Sequence, residues 1–164
     1  MSDPDASATA SSPDTTPAIE AVQALGLEHE VTRHGRVNSL AEAAAARGIE
    51  PRDLVKTIVV RRGGDDHVFV LVPGDREFSW PKLRALLGVS RLSMPDAATA
   101  REVTGYERGT ITPFGATHPW PVIADASLVG RRISMGGGGH GVGITLEADA
   151  ALAALGAQVA DVTE

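Results

Sequence analysis

A chain of 164 residues with 43% apolar side chains can bury one ordinary core and is too short for two of typical size. It contains no cysteine, which excludes disulfide staples, thiolate metal sites and thiol nucleophiles and leaves a cytoplasmic setting as the default. The formal charge of −6 argues against tight, non-specific binding to nucleic acid, no apolar run approaches the roughly 18 to 20 residues of a membrane span, and the start lacks a signal-peptide pattern.

Residues 1–17 are rich in Ser, Thr, Asp, Pro and Ala and predict a disordered tail, so the folded domain is expected over 18–164. Ile19, Val22 and Leu25 then recur at helical spacing, with Gly26 placed as a stop. His29 to His34 reads as a strand. Ser39 and Glu42 form a capping box that opens a second helix through the alanine run, ending near Gly48. Beyond the turn at Pro51 and Asp53, the β-branched run LVKTIVVRR and the run HVFVLVP flank GGDD, which predicts a hairpin of two central strands. Ser79-Trp80-Pro81 and Pro95-Asp96 are helix starts, and Gly88 and Gly105 the matching stops. After Gly105 come loops and short strands (GTITPFG, PVIAD, RRISM, GGGGHGVG, ITLE), a helix through DAALAALG and a last strand QVADV. The expected class is mixed α/β in one domain, a largely antiparallel mixed sheet or partly closed barrel surrounded by helices.

Three segments carry candidate chemistry. Lys56 interrupts an apolar strand, and strict alternation puts it on one face with Leu54, Ile58 and Val60. Such a lysine either borders a polar pocket or lies on an open solvent face. The segment from Gly105 to Gly115 places three glycines and Pro113 around Tyr106, Thr110 and Thr112. That composition suits a fixed loop offering its backbone groups to a ligand, although a plain connection has the same look. Residues 136–143 imitate a phosphate loop but lack its Lys-Ser/Thr ending and precede a strand, so they read as a hairpin loop carrying His140. The five histidines show no zincin spacing, and no metal or other cofactor is expected. Arg47, Arg52, Lys56, Arg61 and Arg62 gather around one strand, either as solvated surface charge or as a local positive face on an acidic chain.

Taken in order, the strand with Lys56-Thr57, the strand VFVLVPGDREF, the helix KLRALLG, the loop GYERGTITPFG, the segment PVIADASL and the final glycine-rich hairpin resemble the YbaK/EbsC/ProX family, which includes the editing insertion of bacterial prolyl-tRNA synthetases. The likeness runs from about Glu28 to Val162; its most specific elements are Lys56-Thr57 and the GxxxP loop at 109–113. It implies a free-standing deacylase that cleaves the ester of a mischarged tRNA, often tRNA for proline. It also implies Lys56 and Gly109 as catalytic positions: Lys56 orients the aminoacyl-adenosine end, and backbone groups at Gly109 hold the attacking water and the carbonyl. Thr57, Thr110, Pro113, Gly115 and Gly137 are further expected substrate contacts, and Leu40, Thr112, Phe114 and His140 are the candidates for the side-chain pocket. Several family members carry an acidic or polar residue around the position of Gly143, where this sequence has glycines and His140. The expected partners are the CCA end of an aminoacyl-tRNA and a synthetase. A non-catalytic tRNA- or synthetase-binding module of the same fold is the alternative reading, with hydrolysis of another small ester or amide behind it.

Overall fold

The computed structural model describes residues 15–164; most of the predicted tail, residues 1–14, lies outside the described residues. The first helix, α1 (Pro17–Ala24), is capped by Thr16, whose Oγ1 accepts from the Ile19 N–H and donates to the Gly137 carbonyl at 2.5 Å. Helical structure therefore begins one residue before the expected domain boundary, because the Thr-Pro pair supplies a cap and an N1 proline. Strand β1 (Glu30–Arg33) leads to α2 (Leu40–Ala46). Ser39 accepts from the Glu42 N–H, and Glu42 reaches back to the Asn38 N–H, one residue beyond the usual capping-box partner. A single 3₁₀ turn, Pro51–Asp53, precedes the hairpin of β2 (Val55–Gly63) and β3 (Asp66–Pro73). Helices α3 (Trp80–Leu87) and α4 (Ala97–Thr104) are capped by Ser79 and Asp96 and end at the left-handed Gly88 and Gly105. Strands β4 (Val122–Asp125), β5 (Arg132–Gly136) and β6 (Val142–Glu147), helix α5 (Ala148–Leu155) and β7 (Gln158–Ala160) complete the chain.

The strands form two open sheets, β1-β6-β5 and β2-β3-β4-β7. The first is antiparallel throughout. In the second only the β2–β3 hairpin is antiparallel, and β3–β4 and β4–β7 are parallel. The expected mixed α/β class holds, with two refinements: parallel pairs outnumber the antiparallel one in the larger sheet, and neither sheet closes into a barrel. Parallel pairing requires long crossovers. The first crossover, residues 74–121, carries α3, α4 and the 105–115 loop; the second carries β5, β6 and α5. A further correction concerns β2, which is an edge strand of its sheet, leaving β3 as the central member of the pair.

Alternation along β2 and β3 divides the interior in two. Val55, Val59, Phe69 and Leu71 face the three-stranded sheet and pack with Ile133, Met135, Ile144 and Leu146, under α1 and α5. Val60, Val68, Val70 and Val72 point the other way and pack with Leu83 of α3, Ile123 and Val162. Each fully buried Leu, Val or Phe contributes on the order of 1.5–3 kcal/mol, so the larger sheet, buried on both faces, is the rigid frame. Asp125 locks the far end of that frame. Its carboxylate accepts from the Val162 N–H at 3.0 Å and from Ser127; burial pushes its pKa up, and these hydrogen bonds outweigh that and hold it below the usual value.

Candidate active site

The edge position of β2 creates the site. Its outer edge is bridged at Leu54 by Ser134 and at Arg61 by Ser93, and between these points no strand among the described residues covers it. A cavity of about 340 Å³ runs along the open edge, bordered by all six residues from Leu54 to Val59. Six consecutive residues represent both faces of a strand, so the edge itself forms the wall. Lys56 and Thr57 thus reach the same hollow although their side chains point to opposite faces.

The opposite wall comes from the first crossover. Met94, Pro95, Ala97 and Ala100 close one side, and Arg108, Gly109 and Ile111 close another. Gly136, at the end of β5, lies under that loop: a Cβ on it would come 3.1 Å from the Ile111 carbonyl oxygen. Arg47, at the C-cap of α2, completes the lining.

Lys56 donates from Nζ to the Arg76 carbonyl at 2.7 Å and to Glu77 Oε2 at 3.2 Å, and its side chain retains 28% exposure. It therefore stands at the rim, neither sealed in nor loose in bulk solvent. Gly109 has φ +90°, a conformation that disfavours any side chain, and nothing lies within 4 Å of where its Cβ would be. Gly109 is exposed and borders the cavity, and its N–H has no protein acceptor among the described residues. The Thr57 hydroxyl is buried against the same hollow and also has no hydrogen-bond partner. A buried hydroxyl left unpaired costs about 1–3 kcal/mol, which a ligand or water in the cavity would recover.

The loop is held from behind by Tyr106, whose hydroxyl donates to the Phe114 carbonyl at 2.6 Å; burial pushes its pKa up to about 12. The Thr104 hydroxyl donates to Ala100 and accepts from the Tyr106 N–H. Thr110 bonds through both its N–H and its hydroxyl to the Glu107 carbonyl, and the Pro113 carbonyl accepts from Ala116. Thr112 is fully buried and accepts from the Phe114 N–H, and Phe114 is a core residue at 2% exposure. Gly115 is left-handed at φ +71° and packs on Pro17. Thr110, Thr112, Pro113, Phe114 and Gly115 therefore shape the loop from within, and none of them borders the cavity.

Three other expected contacts also lie off its wall. Leu40 packs over Gly74 at the start of α2. Gly137 closes the β5–β6 turn by donating to the Val142 carbonyl, and the exposed His140 reaches Glu107 Oε2 at 3.1 Å, outside the hollow. Conversely, Arg47, Arg108, Met94 and Pro95 do border the cavity. Arg47 carried a signal, as a member of the basic group around β2. Arg108 lies within the 105–115 loop that its glycines single out, whereas Met94 and Pro95 arrive through the crossover with no sign of the site in local sequence. Among the lining residues the cations are Arg47, Lys56 and Arg108, and no carboxylate is present, so the hollow is positive within a chain of net charge −6.

A positive cavity that joins a rim lysine to an open glycine turn is the setting in which the chain's relatives become informative. Residues 34–153 match the family model of the aminoacyl-tRNA editing domain. The chain belongs to that family. It is 31% identical over 126 residues to a proline-tRNA ligase of Thermosipho melanesiensis and 34% identical over 131 residues to that of Desulforamulus reducens, covering 74% and 78% of this chain. In both cases it spans only 22% of the ligase. Among solved structures, a candidate trans-editing enzyme for prolyl tRNA synthetase superposes with a TM-score of 0.84 at 28% identity, covering 94% of this chain and 99% of that one. The hypothetical protein APE2540 gives 0.82 at 27%, covering 90% and 99%. Among the described residues no helix of this editing domain is long and apolar enough to cross a membrane, and no group of three or more His, Cys, Asp or Glu could hold a metal ion.

Proposed function

We propose that this editing domain hydrolyses the ester between a non-cognate amino acid and the 3′ end of a tRNA, tRNA for proline foremost, with the CCA end as the part of the tRNA it grips. The observation that carries this reading is the single hollow shared by Lys56 and Gly109, lined by three cations and no acid. An acylated 3′ end entering it brings phosphodiester charge to the rim and a reactive carbonyl to the interior. Water adds to that carbonyl, and the tetrahedral oxyanion then expels the ribose oxygen, which takes up a proton to leave free amino acid and a 3′-hydroxyl.

An aminoacyl ester is activated enough that placing water and stabilising the oxyanion supply most of the acceleration, and no side-chain nucleophile is needed. The free N–H of Gly109 is the donor suited to the oxyanion, and the unpaired Thr57 hydroxyl is suited to the ribose or the water. Lys56 must exchange its present partners for the substrate. The exchange is inexpensive, because Glu77 is 80% exposed and an ion pair so open to solvent is worth roughly 0–1 kcal/mol. Ester lifetimes of alanyl-, cysteinyl- and seryl-tRNA for proline, measured with and without the protein, test the reaction. Lys56→Ala is expected to slow the responsive ester by about 100-fold, the usual penalty for a misplaced substrate. Unchanged lifetimes on every ester would favour a non-catalytic tRNA- or synthetase-binding module.

A further inference from the structure

Arg47 is the one cavity cation that is both recessed and without an acid. Its guanidinium lies on the backbone of β5 and β6. Nη1 donates to Ser134 Oγ at 3.3 Å and to the Met135 carbonyl at 3.4 Å, and Nε points to His34 Nε2 at 3.4 Å. Ser134 and Met135 are fully buried, so the guanidinium of Arg47 is anchored on the core side of the hollow, whereas Arg108 is exposed and Lys56 stands at the rim. All three contacts are long for a charged donor, and Nη2 has no acceptor among the described residues. Burial lowers the pKa of Arg47, as expected of a cation with no carboxylate beside it.

The strand beneath is shaped to keep it there. A Cβ at Gly143 would sit 2.6 Å from Arg47 Nε and 2.8 Å from Cζ, so any side chain at that position displaces the guanidinium. Gly143 has no left-handed backbone to explain the glycine, which leaves the close approach of Arg47 as its reason. A half-buried cation with spare donors, held flat on a glycine in the wall of a cavity, is a recognition group awaiting an acceptor.

We infer that Arg47 is a specificity-determining residue of the acyl pocket, donating hydrogen bonds to an oxygen on the amino-acid side chain. The domain therefore prefers acyl groups bearing a hydroxyl or carboxylate over the alanyl group. This rests on the deacylase reading above. The body of a tRNA stays outside a hollow of about 340 Å³, so the acyl side chain is the part that reaches its core side. Rim cations serve the phosphodiester. A site built around a polar partner discriminates strongly against the analogue lacking it, because the buried donors are then left unpaired.

The test compares kcat/KM for seryl-, aspartyl- and alanyl-tRNA on the wild type and on Arg47→Met, Arg47→Lys and Gly143→Ala. The wild type should favour an oxygen-bearing acyl group by roughly 10- to 100-fold, the range for one hydrogen bond to a charged group. The seryl and aspartyl arms separate a neutral acceptor from an anionic one. Arg47→Met should bring the ratio near one, and Arg47→Lys should recover part of it. Gly143→Ala leaves the charge in the chain but moves it, and should act in the same direction even where Arg47→Met impairs folding. A wild-type ratio near one overturns the inference, as does an equal loss on all three esters in the variants, which would assign Arg47 to the phosphodiester. Calorimetry with amide-linked seryl- and alanyl-adenosine separates the two claims. If no ester is cleaved, the deacylase reading fails on its own, and equal binding of the two amides overturns the role of Arg47.

Discussion

Two glycine-rich loops stand close together, 105–115 and 136–143, and Gly109 in the first does the opposite job from Gly137, Gly138 and Gly141 in the second. In the first, Gly109 is left-handed with open space beside it at the cavity border, so the missing side chain leaves backbone open to a ligand. In the second, the absent side chains make room for protein. A Cβ at Gly138 would press on the Tyr106 ring at 2.9 Å, one at Gly137 on Val142 at 2.5 Å, and one at Gly141 on the His34 carbonyl oxygen. Gly109 faces open space, whereas those three glycines, like Gly105 and Gly115 of the first loop, are shaped around their neighbours. Tyr106 joins them, with its ring under Gly138 and its hydroxyl on Phe114. Glycine content alone therefore says little about binding; the occupant of the space opposite each glycine decides it.

The largest effect that could break this comparison is at Gly109. Gly109→Ala should cut deacylation by at least about 100-fold, because re-aiming the loop by an ångström is enough, while stability falls by only about 1–2 kcal/mol from the left-handed strain. A single-turnover assay beside a urea titration separates the two losses, and a variant of full activity would show that this turn is not part of the machinery. Gly141→Ala should show the converse, with about 1–3 kcal/mol lost on unfolding and a kcat within a few-fold of the parent.

Tyr106→Phe comes next. Losing the hydroxyl and orphaning the Phe114 carbonyl should cost about 1–2 kcal/mol. The pH dependence has a definite sign. The folded pKa of Tyr106, about 12, lies above its ordinary value of 10.0, so its contribution is complete below pH 10 and is lost as pH rises toward 12. Stability of the parent should thus decline through that alkaline window, and the decline should shrink in Tyr106→Phe, as followed by circular dichroism. The smallest effect belongs to His140→Ala. Its contact with Glu107 is an exposed pair worth less than about 0.5 kcal/mol, and deacylation should change less than about threefold. A large loss there would return the hairpin to the acyl pocket.

The local elements were legible because their causes are local. Ser39, Ser79 and Asp96 each cap the helix that the sequence predicts, and Gly88 and Gly105 each end one in the left-handed conformation. The β2–β3 hairpin pairs in the predicted antiparallel sense. The parallel placement of β4 beside β3 was not legible, since the 48 residues 74–121 separate the two strands and nothing in either strand names its partner. Lys56, Thr57 and Gly109 were picked out by residue type and motif, and all three border the cavity. Leu40, Thr112, Phe114 and His140, the candidates for the side-chain pocket, are turned by the fold to Gly74, the loop interior, the core and Glu107.

From its residues alone this chain specifies its helices, their caps, its hairpin and two positions that border the cavity, because each depends on neighbours within a few residues. Tertiary structure alone decides that β2 is an edge strand with an open flank, that the first crossover returns Met94, Pro95 and Arg108 to that flank, and that Gly143 lies beneath Arg47. The physical reason is that a cavity is a property of the space between distant segments, and no local preference encodes what stands on its far side.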